Sequence, residues 1–239
     1  VENISDILLS KGYRRLYESE AWDLKPGEKC FVVRNNSSVI GFKLPENIPG
    51  SFMIIASHSD SPTFKIKENP EIEVEKHYVK LNVEKYGGML CAPWFDRPLS
   101  VAGRVIIKDK TNGQFTSKLV NIDRDLVMIP NLAIHMNREI NSGYNYNAQK
   151  DLLPLYGCGS PKGTFMEQIA EATGVEKDEI LGHDLFLYNR QEGSIWGASK
   201  EFISSGRLDD LQCAFASLQG FLSGEKRDCM AVHLSLIHI

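Results

Sequence analysis

The sequence predicts an α/β protein whose chain is interrupted by a long β-rich segment. Three observations predict this fold class: apolar residues at helical spacing near both ends, a short apolar run at 51–56, and alternation of apolar and charged residues from 64 to 83. We therefore expect a first α/β part at residues 1–64, an inserted β-rich domain at 65–203 and a second α/β part at 204–239.

The first α/β part begins with a predicted helix. Apolar residues within 4–16 recur at helical spacing, which Gly12 interrupts. Two β-prone runs, 30–34 and 38–44, are separated by the turn-forming sequence Asn-Asn-Ser and predict a hairpin. The apolar run at 51–56 then predicts a buried strand that leads into a polar loop.

The inserted segment is predicted to be mostly β. The alternation from 64 to 83 is typical of half-buried antiparallel strands. One helix is predicted from Thr164 to Gly174, with the threonine as N-cap, Glu167 three residues later and the glycine as stop signal. Further strands are predicted at 101–107, 115–122, 126–129 and 185–188.

The second α/β part follows a polar loop. Apolar residues within 211–222 lie at amphipathic helical spacing, and a strand is predicted to begin at Met230. The last six residues, LSLIHI, are also the translation of a sequencing-adapter end, and the chain starts at Val1 instead of Met. We expect a fragment truncated at both ends whose last six residues are not native, with a natural C-terminal strand as the alternative.

Composition argues against several function classes. The chain has 27 Lys+Arg, 31 Asp+Glu and a net charge of -4, without the basic block typical of nucleic-acid binding. The absence of any run of about 18 apolar residues predicts no transmembrane helix and no membrane partner. Five cysteines occur without a C-x-x-C pair, which predicts reduced thiols and a cytoplasmic location.

An H-x-D pattern stands at the end of the predicted buried strand. His58 and Asp60 are two residues apart, so in an extended chain their side chains point to the same side. His58 is a candidate metal ligand, because a neighbouring carboxylate holds the tautomer of a ligating imidazole and raises its basicity. A surface or capping pair is the alternative that this motif alone leaves open.

Two adjacent acids stand before the last predicted helix. Asp209 and Asp210 suit the positive end of a helix dipole, and helix capping is sufficient to explain them. The functional alternative is that one carboxylate bridges two metal ions about 3.5–4 Å apart, as two-metal hydrolytic sites require.

Four motifs, in this order, resemble the M18 family of metallo-aminopeptidases, the aspartyl aminopeptidase family. They are SHSDSP at 57–62, WFDRPL at 94–99, IPNLAIHMNR at 129–138 and SSGRLDDL at 204–211. The resemblance implies an α/β zinc-peptidase catalytic domain with two zinc ions, interrupted by an inserted β-rich dimerisation domain.

The resemblance also implies roles for individual residues. His58 matches the first zinc ligand, Asp209 matches the carboxylate that bridges both zincs, and Asp60 matches the residue that orients His58. His135 matches a histidine that enters the active site of a neighbouring subunit to contact substrate; by its sequence context alone it is a polar residue at a strand edge. Asp210 stands where the family commonly has Asn, and no role is predicted for it.

The implied function is a two-zinc aminopeptidase that releases N-terminal residues from peptides and assembles into a homo-oligomer. The family name implies a preference for acidic N-terminal residues. The family's acidic E-E-V-G-type motif, with its general base and third ligand, is missing after the strand at Met230, and so are the two later ligands. We therefore expect the 239-residue chain to be inactive and to retain zinc poorly, since two ligands do not close a zinc site. The alternatives are another two-metal amide hydrolase and a non-catalytic assembly or binding subunit.

Overall fold

The computed structural model describes residues 1–47, 49–110, 112–159, 162–225 and 228–237. The chain forms two compact units, one from residues 1–61 with 207–239 and the other from 62–206. Each helix in the described ranges is too short or too polar to cross a lipid bilayer.

The described residues form three α-helices and thirteen strands. In chain order they are α1 (Glu2–Ser10), β1 (Arg14–Leu16), β2 (Lys29–Arg34), β3 (Ser38–Lys43), β4 (Phe52–His58), β5 (Thr63–Val74), β6 (Tyr78–Tyr86), β7 (Leu99–Lys108), β8 (Phe115–Asn121), β9 (Leu155–Cys158), α2 (Phe165–Thr173), β10 (Ile180–Asn189), β11 (Ser194–Trp196), β12 (Phe202–Ser204), α3 (Leu208–Ser223) and β13 (Met230–Leu236). Short 3-10 helices occupy Ala92–Trp94, Ile140–Ser142 and Lys177–Glu179.

The first unit is a five-stranded mixed sheet with helices against one face. The strand order is β1-β2-β3-β13-β4, and the β1·β2 and β13·β4 pairs are parallel. Leu8 of α1 and Leu218 and Phe221 of α3 pack with Phe31 and Val39 of the sheet into one buried cluster. The predicted α/β character of the outer segments is confirmed by this arrangement.

In the first unit the predicted hairpin is confirmed, and the predicted first helix is shorter than expected. The predicted hairpin forms from β2 and β3, and Asn35 and Asn36 take left-handed φ values of 52° and 53° in its turn. This conformation is one that asparagine tolerates better than most residues. Helix α1 ends at Ser10, earlier than predicted, and Arg14–Leu16 pairs with β2 as a strand.

Lys43 of β3 connects the C-terminal end of helix α3 to the sheet through hydrogen bonds. Its buried ammonium donates hydrogen bonds to the carbonyl oxygens of Phe221 (2.5 Å) and Gly224 (2.9 Å) and lies 4.9 Å from the centre of the Phe221 ring. A cation among the last carbonyls of a helix compensates the negative end of its dipole. This contact helps to fix α3, whose first turn contains the acidic pair Asp209 and Asp210.

Strand β4 differs from its prediction as a buried strand. It forms where expected, but it lies at the edge of the sheet, and Phe52, Met53, Ile54 and Ile55 are 63%, 62%, 59% and 40% exposed. The prediction of burial was wrong because a run of apolar residues indicates a strand with two covered faces. Among the described residues, that cover is missing.

The second unit is built on an antiparallel six-stranded sheet. Its order is β8-β7-β10-β5-β6-β9, and a separate two-stranded sheet pairs β11 with β12. The predicted strands at 64–83, 101–107, 115–122 and 185–188 are confirmed, whereas 126–129 makes only isolated bridges. Its core packs strand residues against helix α2 and includes Phe64, Leu81, Leu99, Ile129, Phe165, Ile169 and Leu185.

Helix α2 forms as predicted but is capped differently. Thr164 makes no side-chain capping bond, whereas the Glu71 carboxylate from β5 accepts hydrogen bonds from the backbone N–H groups of Gly163 and Phe165. Gly174 ends the helix with a φ of 64°, as the sequence predicted. Thr164 is the N-cap residue, as predicted, but Glu71, distant in sequence, supplies the acceptor in place of the threonine side chain.

Candidate metal centre

His58 is the last residue of β4 and lies at the carboxyl end of a parallel strand pair. In the register of the sheet it is opposite Leu236 of β13. The strand end is fixed on both sides, since Ser57 and Ser217 share a buried hydrogen bond of 2.9 Å and Ser59 N–H donates to the Leu236 carbonyl at 2.8 Å. Loops at this edge are where open α/β sheets place their sites.

The acidic pair is brought to His58 by the start of helix α3. Asp209 and Asp210 have non-helical backbone angles, the peptide between them is cis, and Arg207 before them has a φ of 66°. His58 Nε2 lies 3.5 Å from Asp209 Oδ1 and 3.5 Å from Asp210 Oδ2. The His58 backbone N–H also donates to Asp210 Oδ2 at 3.3 Å, so this acid faces the histidine.

His58, Asp209 and Asp210 form one cluster of candidate ligands. One donor atom from each residue lies within 4.8 Å of the others. The sequence motifs pair His58 with Asp209 only, and Asp210 is a candidate ligand that they do not predict. The signal was present in the sequence as a second adjacent acid. Cys213, one turn later, hydrogen-bonds Asp210, and this bond and the carboxylate charge raise the pKa of the thiol.

Asp60 lies on the other side of the imidazole. The His58 Nδ1 atom is 3.0 Å from Asp60 Oδ1 and 3.1 Å from the Asp60 carbonyl oxygen. Burial lowers the pKa of His58, but the hydrogen bond to Asp60 and the charge of Asp210 outweigh it, and the net shift is upward. With Nδ1–H donated to Asp60, the lone pair of Nε2 points to the acidic pair.

The donor set fits a divalent cation such as zinc. Imidazole nitrogen and carboxylate oxygen are both zinc ligands. Three carboxylates around one imidazole give the cluster a negative charge that a cation would neutralise, and the Asp209 side chain is 69% exposed and accessible to one. Neither acid is the N-cap residue of α3, which is Arg207; both lie in the first turn, where they also suit the positive end of the helix dipole.

His135 lies in the second unit, apart in sequence from this cluster. Its side chain is exposed in the segment between Ile129 and β9, where Leu132 and Met136 are also exposed, at 63% and 77%. Among the residues of that unit that the structure describes, none forms a hydrogen bond or ion pair with the His135 side chain, so its predicted role stays a prediction.

The fold and the site define an α/β protein with a candidate metal site, a histidine–carboxylate cluster at the carboxyl end of a parallel strand. The sequence model of one family, the aminopeptidase I zinc metalloproteases (M18), matches residues 1–236. The chain belongs to the M18 family of zinc metalloproteases, and the resemblance found in its motifs is confirmed.

Curated relatives and solved structures agree with this assignment. A probable M18 family aminopeptidase 2 of Clostridium acetobutylicum is 43% identical over 231 residues, which is 94% of this chain and 53% of the relative. One of Pseudomonas paraeruginosa is 39% identical over 234 residues, 94% of this chain and 54% of the relative. The chain thus spans about half the length of the curated relatives it matches.

The fold is similar to that of solved aminopeptidases. The mApe1 structure of Chaetomium thermophilum matches with a TM-score of 0.84 and 31% identity, covering 98% of this chain and 57% of that one. The S. cerevisiae mApe1 dodecamer matches with a TM-score of 0.78 and 25% identity, covering 98% and 55%. The predicted fold class is therefore confirmed.

Proposed function

We propose that this chain carries part of the active site of a two-zinc aminopeptidase that releases N-terminal residues, acidic ones by preference, from peptides. By itself the 239-residue chain is expected to be inactive. The observation that carries the proposal is the convergence of His58 with Asp209 and Asp210. One ligand atom from each lies within 4.8 Å of the others, although His58 and Asp209 are 151 residues apart in sequence.

Each residue of the cluster has a distinct role in this proposal. His58 would offer Nε2 to a zinc ion, and Asp209, the more exposed acid, would offer a carboxylate whose two oxygens could serve two ions. Asp210 adds negative charge and accepts a hydrogen bond from the His58 backbone N–H. Asp60 accepts a hydrogen bond from Nδ1, which fixes the ring orientation and the tautomer that presents the Nε2 lone pair to a metal ion.

Zinc, when bound, supplies a Lewis acid that polarises a peptide carbonyl and lowers the pKa of water. The chain's own residues would fix where that acid sits and balance its charge. The rigid strand end at His58, held by the Ser57–Ser217 bond, limits how far the imidazole moves. Positioning of this kind is a large part of catalytic rate enhancement.

The second unit is proposed to act in assembly and substrate contact. Its exposed apolar residues at Leu132 and Met136 flank His135, which supports a role for this segment at a subunit interface. The S. cerevisiae mApe1 relative is a dodecamer, and we propose a homo-oligomer here too. The five free cysteines support a reducing, cytoplasmic location.

Zinc titration of the purified chain tests the proposal. We expect weak, saturable binding by isothermal calorimetry, because an incomplete ligand set leaves the site open. His58→Ala and Asp209→Asn should each weaken binding at least about tenfold, whereas Asp178→Asn, an exposed acid of the second unit paired with Lys110, should leave it unchanged. Equal zinc affinity in all four proteins would contradict the proposed centre.

Peptidase activity is the matching functional readout. The chain alone is expected to release no N-terminal residue from acidic or neutral peptides at saturating zinc. If the chain released N-terminal residues in a zinc-dependent way, and His58→Ala abolished that release, the predicted inactivity would be contradicted. The proposed metal centre would still be supported. Tight binding of peptides without zinc would favour the alternative of a non-catalytic binding subunit.

Asp60→Ala is expected to weaken zinc binding about tenfold while leaving the fold intact. The carboxylate is a hydrogen-bond partner of Nδ1 and not a member of the cluster at Nε2, and loss of such outer-shell carboxylates costs about 10–100-fold in affinity. Calorimetry measures the affinity, and thermal unfolding without metal checks the fold. Asp60→Asn keeps an acceptor oxygen, so its zinc affinity should lie between that of the parent and that of Asp60→Ala. An unchanged affinity in Asp60→Ala would remove the positioning role.

A further inference from the structure

A long excursion of the second unit carries His135. The chain leaves the core after Ile129, which is fully buried, and returns at Leu155, whose backbone N–H donates to the Met128 carbonyl at 2.7 Å. Apart from the short 3-10 helix at Ile140–Ser142, the described residues between these two points form no helix or strand. Loops longer than about 12–15 residues without secondary structure are usually functional when they occur in compact domains.

The part of the excursion around His135 is folded into two overlapping turns. The Met136 backbone N–H donates to the Ala133 carbonyl at 2.8 Å. The Asn137 backbone N–H donates to the Ile134 carbonyl at 3.3 Å. Packing adds little to these turns, because Ile134 and Met136 are 46% and 77% exposed. The position of His135 therefore depends on how the start of the excursion is attached to the core.

Asp96 makes that attachment through Asn131, which stands four residues before His135. Asp96 Oδ1 accepts a hydrogen bond from the Asn131 backbone N–H at 2.9 Å, and Oδ2 accepts one from the Asn131 side-chain amide at 2.9 Å. These two bonds stabilise the charged carboxylate and lower the pKa of Asp96. Hydrogen bonds to an ionised acceptor are stronger than neutral ones, and a two-point contact fixes orientation as well as distance.

Asp96 is itself held by the core of the second unit. Phe95, the residue before it, is buried and forms an isolated parallel bridge with Ile129. The Asp96 backbone N–H donates to the Ile129 carbonyl at 2.9 Å. Its φ of 55° lies in the left-handed region, which aspartate and asparagine tolerate better than most residues. The carboxylate thus connects an exposed segment to a position set by buried residues.

We propose that Asp96 is a positioning residue, which acts through Asn131 to hold His135 in place for the assembly and substrate contact proposed above. The contact joins two of the sequence motifs, WFDRPL at 94–99 and IPNLAIHMNR at 129–138. The role of His135 rests on the proposed function, which assigns no part to Asp96 or Asn131. The attachment itself is a property of the second unit alone and does not require zinc.

Exchange of the two side chains tests the proposal. Asn131→Asp sets two carboxylates against each other and should raise hydrogen exchange of the Met136 and Asn137 amides at least about tenfold. Adding Asp96→Asn restores one amide and one carboxylate, so the new amide can donate to the new carboxylate, and asparagine keeps the left-handed φ. Exchange in this double variant should return to within about threefold of the parent.

His135 provides a second, local readout. The order parameter of its backbone amide should be near the value of about 0.85 for a fixed backbone in the parent, and below about 0.6 in Asn131→Asp. In the double variant it should return to the parent's value. The thermal midpoint should stay at that of the parent in every variant, because the exposed pair of Asp96 and Asn131 lies outside the buried core. A general structural role would lower that midpoint and would not be rescued by the exchange.

Asp151→Ala is the matched control at the other end of the excursion. The Asp151 carboxylate accepts hydrogen bonds from the Asn147 backbone N–H at 2.7 Å and from the Tyr144 hydroxyl at 3.0 Å. Its removal should raise exchange of the Asn147 amide and leave the order parameter of His135 unchanged. All proteins are compared at one concentration and at pH 7, where the carboxylates are ionised.

Any one of three results would overturn the proposal. The Met136 amide could exchange in Asn131→Asp at the parent's rate, the double variant could stay as mobile as the single one, or Asp151→Ala could loosen His135 equally. None of these measurements uses zinc or peptide. A chain that binds no zinc in calorimetry but shows loss and rescue at His135 would refute the proposed metal centre and support the positioning role of Asp96.

Discussion

Gly103→Ala is expected to destabilise the second unit by about 3 kcal/mol or more, at the upper end of what overpacking costs. Gly103 of β7 lies opposite Leu185 of β10 in the centre of the six-stranded sheet. A Cβ atom built at Gly103 would lie 2.0 Å from the Asp184 carbonyl oxygen and 3.0 Å from the Leu185 Cα. Both contacts are to backbone, so no side chain can rotate away to make room.

The strain would have to be relieved by separating two strands that also hold the core. Val101 and Val105 on β7 and Leu185 and Leu187 on β10 are all buried, so any shift opens cavities around them. Thermal and urea unfolding measure the loss of stability. The near-ultraviolet signal of Trp94, which packs on Phe64 in this unit, monitors the transition.

Gly182→Ala is the matched control. It lies on β10 opposite Ile106, and a Cβ there would meet nothing within 4 Å. We expect a change of no more than about 0.5 kcal/mol, or a slight gain from the reduced freedom of the unfolded chain. A Gly103→Ala variant as stable as Gly182→Ala would show that the two strands are more widely separated than the structure has them.

Much of the fold could be predicted from local patterns. Alternation from 64 to 83 predicted β5 and β6 because a half-buried antiparallel strand shows a two-residue period. The hairpin of β2 and β3 was predicted by its Asn-Asn turn, and helix α3 by its apolar spacing. In each case the signal lies within a few residues of the structure it specifies.

Features set by distant residues could not be predicted in this way. The capping acceptor of α2 comes from Glu71, almost a hundred residues earlier, and not from the side chain of the N-cap residue Thr164. The exposure of β4 depends on which strands and helices lie beside it, and an apolar run carries no information on that. Sheet order likewise places β13 between β3 and β4, which no periodicity specifies.

The candidate site was predicted only in part, because some of its contacts are local in sequence and others join distant residues. His58 and Asp60 are neighbours in sequence, and their contact follows from the H-x-D spacing. The meeting of His58 with Asp209 came from the family resemblance, since the two are 151 residues apart. Asp210 was missed because two adjacent acids on a regular helix point in different directions, whereas here the non-helical backbone turns both toward His58.

His233 makes the first unit sensitive to acid. Its imidazole is fully buried in β13 and stacks 5.6 Å from the Phe221 ring, and neither ring nitrogen has a hydrogen-bond partner among the residues that the structure describes. Burial lowers its pKa from 6.5 to about 4. The folded chain therefore resists protonation that the unfolded chain accepts.

The sign of the effect follows from proton counting. Above pH 6.5 the imidazole is neutral in both states, and His233 contributes no pH dependence. Between pH 6.5 and 4 the unfolded state binds the extra proton, so the free energy of unfolding falls as the pH falls. The two pKa values give a loss of about 2 kcal/mol between pH 7.5 and pH 5.

Urea unfolding at those two pH values, in the parent and in His233→Leu, measures this loss. Leucine fills the buried site without a titrating group, so the variant should lose about 2 kcal/mol less than the parent on acidification. At pH 7.5 it should be no less stable, because it removes two unpaired nitrogens. His77→Leu, which removes an exposed imidazole, controls for loss of any histidine. Parallel pH profiles in the parent and His233→Leu would mean that the buried imidazole is solvated or paired at neutral pH, and that the close packing of β13 against Phe221 does not persist in solution.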